Sequence, residues 1–394
     1  MKKINMIVTT VLWAAVLWQA LPVYADAPSS LEDKVKQLES RLETDLVFLE
    51  EKQDALFRKL TEKSTLHVYL SLEYEDFQDE NSAIEAEDLE LVSEFAMNDR
   101  ISAYIEIEFE DEETEIEQGF LDFAFNTSVS ARLGIVLVPF GRYNLEHFNF
   151  MRDLTSPPVA IRFVNGVSWS EAAAGVTGNF YFGDSGDAWF DGVSLDYQVF
   201  LVNGLKDRIG GFGIRDAKGG FGDDSNNNKA IVGRIGIAPL AGREFGLSAY
   251  LGKYDDIGKK AARGIDFDWL VVEGPFEFLG ELVYWDIEDA IAPSPGLLKG
   301  GFVQLNYLFW FKALDDTIFG EGYEMPTFTA ILRYGEAEIR IDPISKEKRW
   351  TLGINYRPDE TFVVKTEYQW NTTDNTPIAE GDKNGFVASI AALF

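Results

Sequence analysis

Ile101-Ser-Ala-Tyr-Ile-Glu-Ile-Glu-Phe-Glu110 decides the fold. Ile101, Ala103, Ile105, Ile107 and Phe109 alternate with Ser102, Tyr104, Glu106, Glu108 and Glu110. A period of two places the apolar set on one face of a strand and the acidic set on the other. The same two-faced pattern recurs in both directions along the chain. Upstream, Leu66, Val68, Leu70, Leu72 and Tyr74 alternate with His67, Tyr69, Ser71, Glu73 and Glu75. Downstream, Trp350, Leu352, Ile354 and Tyr356 alternate with polar residues, as do Phe362, Val364, Thr366, Tyr368 and Trp370. The chain ends on Phe386, Ala388, Ile390, Ala392 and Phe394 at the same spacing.

Sixteen such segments are expected, at about 64–75, 87–97, 100–110, 117–126, 128–138, 167–182, 188–202, 229–238, 243–254, 263–273, 275–286, 299–311, 325–335, 347–357, 360–371 and 384–394. Their connections alternate in length. Turns such as Asn98-Asp99, Asn126-Thr127, Gly274 and Pro358-Asp359 are tight. Between them lie longer polar links at 76–86, 111–116, 139–166, 203–228, 255–262, 287–298, 336–346 and 372–383. A link at 312–324 falls where a tight turn is due, so it is either a long turn or a concealed hairpin. Short and long links in alternation, with an even strand count, predict an all-β transmembrane antiparallel barrel over 64–394. A bilayer offers the backbone no hydrogen-bond partner, so a spanning sheet must close on itself. Aromatics near strand ends, among them Phe77, Tyr254, Trp285, Trp350 and Trp370, are expected as interfacial girdles.

Lys2 and Lys3 precede an apolar run to Leu21 and then Val23-Tyr24-Ala25, which reads as a signal peptide over residues 1–25. Residues 26–63 change period. Leu31, Val35, Leu38, Leu42, Leu46, Leu49, Leu56 and Leu60 recur every three or four residues, with Gln53 in one slot. This predicts an amphipathic helix, and a coiled coil gives its narrow apolar stripe a partner.

Composition limits the chemistry. Sixty-six acidic residues stand against 35 basic ones, a formal charge of −31, and nucleic acid is not an expected partner. The chain has no cysteine and only two histidines, His67 and His147. No cofactor, metal site or catalytic relay is expected. Asp111-Glu112-Glu113 and Asp223-Asp224 read as solvated charge runs. Alternation assigns Glu73, Glu94, Glu106, Glu108, Asp122, Arg132, Asp266, Asp268, Glu281, Arg333, Lys365 and Glu367 to the lumen, with Asp88, Glu90 and Asp196 on the same face. Acidic rings in a pore favour cations. The link 139–166 carries Phe140, Tyr143, Phe148, Phe150, Leu154 and Ile161, too apolar for an exposed loop, so it is expected to fold inward. Arg142, Glu146, His147, Arg152 and Asp153 are its candidate constriction residues, with Arg142, Arg152 and Arg162 turned toward the acidic wall.

The alternating segments, with a last strand ending in Phe394, resemble Gram-negative outer-membrane porins. Gly134-Ile-Val-Leu-Val-Pro-Phe-Gly-Arg-Tyr-Asn-Leu-Glu-His147, Arg152-Asp153-Leu154, Pro157-Pro158-Val159 and Trp169-Ser170-Glu171-Ala172 are similar to barrels of the phosphate-selective porin O/P type. The resemblance implies passive diffusion of small hydrophilic solutes or ions. It also implies Phe394 as an insertion signal, lipid and lipopolysaccharide as surroundings, a homotrimer, and an N-terminal helix in the periplasm. Basic residues line the pore of the phosphate-selective members, and this chain departs from that. The alternative is a barrel that sheathes or docks a partner, such as a redox protein.

Overall fold

The structure is a computed structural model and describes residues 64–394 apart from 87, 111–112, 184–191, 211, 220, 223–225, 292–293, 342–343 and 376–382. The expected signal peptide and coiled coil lie outside the described residues. The strands are β1 (Ser64–Phe77), β2 (Ala83–Glu85), β3 (Leu89–Asn98), β4 (Ile101–Glu110), β5 (Glu113–Asn126), β6 (Val129–Leu137), β7 (Ser170–Phe182), β8 (Val193–Val202), β9 (Ala230–Leu240), β10 (Arg243–Lys253), β11 (Ala261–Glu273), β12 (Phe276–Ile291), β13 (Ser294–Phe309), β14 (Thr327–Arg340), β15 (Ser345–Asp359), β16 (Phe362–Asn375) and β17 (Gly385–Leu393). β2 is a three-residue extension beside β1. The other sixteen form one antiparallel ring, closed by β1 pairing with both β3 and β17.

The ring separates two environments. Leu70, Leu72, Ile105, Leu332, Leu352, Ile354 and Trp370 stand exposed on the outside. Their sequence neighbours Ser71, Glu106, Arg333, Thr351, Asn355 and Gln369 are buried inside. A sheet that exposes its apolar face and buries its polar one is the inverse of a water-soluble sandwich.

Two expectations are corrected and one open alternative is decided. The links at 111–116 and 287–298 are mostly strand: β4 and β5 are separated by 111–112 alone, and β12 and β13 by 292–293 alone. The strands outrun the apolar band, and there the outward face turns polar while the ladder continues. On β14 the outward series passes from Leu332 to Glu338 and Arg340, and Glu338 pairs with Lys299 of β13 at 3.1 Å. Residues 312–324 hold no hairpin, because β13 pairs directly with β14; they form a long turn that starts with a helical turn, Lys312–Leu314. Finally, Phe77, Tyr254 and Trp285 are not girdle residues. Their strand parity turns them inward, and they are 6%, 2% and 0% exposed.

Two links enter the ring. The first, 138–169, contains the helical turn α1 (Arg142–Leu145) and a second short turn, Ile161–Asn165. The second lies between β8 and β9 and contributes Leu205, Ile214 and Ala217. With the inner faces of β8 to β14 they enclose an apolar cluster around Phe140, Phe163, Trp169, Tyr250 and Trp285, all 1% exposed or less. Each such burial is worth about 1.5–3 kcal/mol, enough to hold a loop that would otherwise be costly in water.

Candidate functional site

The inward loop is clamped at its neck. Asn144 Nδ2 donates to the carbonyls of Val138 (2.8 Å) and Trp169 (3.1 Å), and its Oδ1 accepts from Trp169 N at 2.8 Å. The descent begins at Gly141 with φ +80°. That positive φ favours glycine, and a Cβ there would also displace the Glu281 carboxylate, 2.2 Å away. The Gly141 amide donates to Ser248 Oγ at 3.1 Å and the Tyr143 amide to Glu281 Oε2 at 3.0 Å.

From there the loop crosses the bore. On the β14–β16 side, Arg333 reaches the Ser156 carbonyl at 2.5 Å. Arg357 reaches those of Phe150 (2.5 Å) and Arg152 (2.8 Å). Lys365 donates to the Asn149 carbonyl and side chain. Glu367 accepts from the Thr155 amide at 2.9 Å. Asp153 accepts from Gln304 (2.9 Å) and Asn306 (2.7 Å) of β13. On the β1 side, Asn149 donates to Glu73 at 2.7 Å, and Phe148 and Phe150 pack on Tyr69. On the β4 side, His147 Nε2 is hydrogen-bonded to Glu106 Oε1.

Toward β8, β9 and β10 the loop leaves a cleft of about 300 Å³, lined by Arg142, Glu146, Asp196, Arg234 and Glu244. Arg142 pairs with Glu146 and Glu244, both at 2.7 Å. Arg234 meets Asp268 at 2.7 Å and Asp196 at 3.2 Å. Burial acts to lower the Arg142 guanidinium, but the Glu146 and Glu244 carboxylates outweigh it and hold it above its usual value. Burial raises the Glu146 carboxyl despite Arg142.

The loop residues picked from sequence therefore divide. Arg142 and Glu146 line the cleft, whereas Asp153 and His147 are bonded to opposite walls. Arg152 does not face the acidic wall: its Nε donates to the Glu146 carbonyl at 2.8 Å and its guanidinium lies over the Tyr143 ring, 4.1 Å from the centroid. Of the wall residues, Asp266, Asp268 and Glu281 are buried, Asp268 against Arg234, and Asp122 pairs with Arg132 at 2.8 Å. Glu94 is exposed on the inner face, Glu73 is half-buried, and Glu108 stands opposite Glu90.

Three residues escaped the sequence reading. Arg234 lies on the Gly- and Ala-rich β9, where only the outward Ile231, Ile235 and Ile237 betray the parity. Glu244 follows a tight turn, where alternation has barely begun. Glu117 is the extra residue of a β-bulge, since Glu106 pairs with Gln118 and Ile107 with Ile116. The bulge puts Glu117 and Gln118 on the inner face together, 7% and 9% exposed.

No family model matches the chain. An uncharacterised protein of Aquifex aeolicus is 24% identical over 311 residues, covering 70% of this chain and 67% of that protein. The fold is similar to an anion-selective porin from Comamonas acidovorans (TM-score 0.57, 12% identity, 84% of this chain and 99% of that one). It is similar to Salmonella typhi OmpF in complex with daunomycin (TM-score 0.57, 11% identity, 84% and 97%). It is also similar to the outer membrane channel DcaP of Acinetobacter baumannii (TM-score 0.54, 12% identity, 84% and 97%). At these identities the likeness is one of fold: the chain shares the sixteen-strand barrel of outer-membrane porins.

Proposed function

We propose that this chain is an outer-membrane diffusion channel for small hydrophilic solutes or ions. The supporting observation is a closed ring, apolar outside and charged inside, whose bore is narrowed by a loop that leaves a charged cleft against β8–β10. Arg142, Glu146, Asp196, Arg234 and Glu244 screen what passes, and no bond is made or broken. The solute crosses down its gradient between opposed charges. Acidic groups dominate the inner wall, so cations are preferred, unlike the anion selectivity stated in the name of the Comamonas protein. The signal peptide over 1–25 directs export, the helix over 26–63 lies in the periplasm as a coiled coil, and three copies associate through it. Lipopolysaccharide meets the outward charged ladder at Lys299, Glu338 and Lys346, which are cross-strand neighbours. Reversal potentials in a planar bilayer under a salt gradient test the selectivity. Cation preference is expected, and clear anion preference rejects it.

One observation favours the alternative, a sheath or dock for a partner protein. The apolar cluster fills part of the bore with side chains rather than water. Liposome swelling with small sugars separates the two: swelling supports the channel, and its absence with folded protein supports the sheath.

A further inference from the structure

The inward loop is tied to its two walls by different chemistry. Toward β13–β16 the ties are ordinary donors meeting carbonyls and carboxylates. Toward β3–β5 the loop offers one imidazole, His147, to a wall of carboxylates. Glu90, Glu106 and His147 each place one possible ligand atom within 4.8 Å of the others, and all three residues are buried. Asp88, Glu90 and Glu108 form a second such group sharing Glu90. Cross-strand register puts Glu90 opposite Glu108 and Val92 opposite Glu106, so both strands aim their acids at the same patch. The bulge at Glu117 turns a further carboxylate to this side of the wall.

Two atoms in this patch are unused. Glu90 is 3% exposed and its Oε2 has no hydrogen-bond partner; His147 Nδ1, on a residue 9% exposed, has none either. Glu106 accepts from Tyr104 and Gln118, both at 2.8 Å, besides its bond to His147. Among the described residues no lysine or arginine is ion-paired to Glu90 or Glu106. Buried carboxylates at this separation repel and are stable only with protons or a cation between them. A single imidazolium supplies one positive charge at most. A divalent ion supplies two, and bound between the carboxylates and the imidazole it gives the idle Glu90 oxygen a partner. One imidazole with two carboxylates suits zinc or a similar first-row ion, with water completing the shell, better than calcium, which takes oxygen ligands throughout.

We propose that Glu90, Glu106 and His147 form a site for a divalent first-row transition cation that pins the inward loop to the β3–β4 wall. Binding itself does not depend on the channel reading; only its effect on conductance does. The test is calorimetric titration of Zn²⁺ into the full chain, folded in detergent and stripped with chelator, with the folded barrel verified by its heat-dependent gel mobility. One equivalent is expected to bind. Glu90→Gln, Glu106→Gln and His147→Ala should each weaken it by at least about tenfold, while His67→Ala leaves it unchanged. In the His67→Ala chain His147 is the sole histidine, so Zn²⁺ should protect it from diethylpyrocarbonate even if the site variants fail to fold. No binding to folded protein, no protection, or equal binding without His147 overturns the proposal. Binding without any conductance would reject the channel and leave the site standing.

Discussion

Over β14, β15 and β16 the inner wall presents Arg333, Arg357, Lys365, Glu367 and Gln369, and each meets the loop or its neighbour at hydrogen-bond distance. Over β8, β9 and β10 it presents Asp196, Arg234 and Glu244, which line a cleft together with Arg142, itself paired with Glu244 at 2.7 Å. The residue types are alike and the uses differ. Where the loop lies on the wall, charge is spent on carbonyls and holds the loop. Where the loop leaves a cleft, charge is paired with charge, and those pairs border the path of a passing ion. Selectivity should therefore follow the second wall and loop stability the first.

Removing the loop erases the distinction and should have the largest effect. Deleting 145–160 is expected to raise single-channel conductance several-fold; an unchanged conductance would mean that the loop does not limit the bore. Next comes a break confined to the covered wall. Lys365→Met leaves the Asn149 carbonyl without its buried donor, at about 1–3 kcal/mol of loop docking. It should show as added current noise, with the reversal potential unmoved. On the open wall the outcome should invert: Asp196→Asn shifts the reversal potential toward anions and Arg234→Gln toward cations, with mean conductance nearly constant.

A pH series sharpens the same contrast. Burial raises the Glu146 carboxyl above its usual value of about 4.3, so it takes up a proton while exposed acids remain charged. A raised carboxyl is favoured in its neutral form, so falling pH removes charge from the cleft and, by linkage, strengthens loop docking through that window; rising pH does the reverse. Cation preference should begin to fade above the ordinary carboxylate range, and Glu146→Gln should abolish that early step in reversal potentials. The smallest effect belongs outside both walls. The Arg243–Glu273 pair at 3.1 Å is exposed, and Arg243→Ala should change unfolding free energy by less than about 1 kcal/mol in urea titrations.

The two walls also differ in how far they could be read from sequence. Arg333, Lys365 and Glu367 sit in mid-strand, where alternation is unbroken, and parity placed them inside. Arg234 and Glu244 sit on a strand of small residues and beside a turn, where a period of two has too few large residues to register. Glu117 was out of reach for another reason: a bulge shifts parity by one, and nothing in Glu-Ile-Glu-Gln-Gly announces it. Strand ends were misplaced wherever the sheet rises beyond its apolar band, because there both faces are polar and the signal vanishes while the hydrogen bonds persist.

The sequence by itself determined the number of barrel strands, which face of each is apolar and the inward fate of the loop at 139–166. These follow from local periodicity and from the cost of exposing apolar side chains. Tertiary structure alone decided which wall the loop covers, which charges line the cleft, and the meeting of His147 with Glu90 and Glu106. Those contacts join residues 41 to 216 positions apart, and pairing at that range is set by closure of the ring and packing within it.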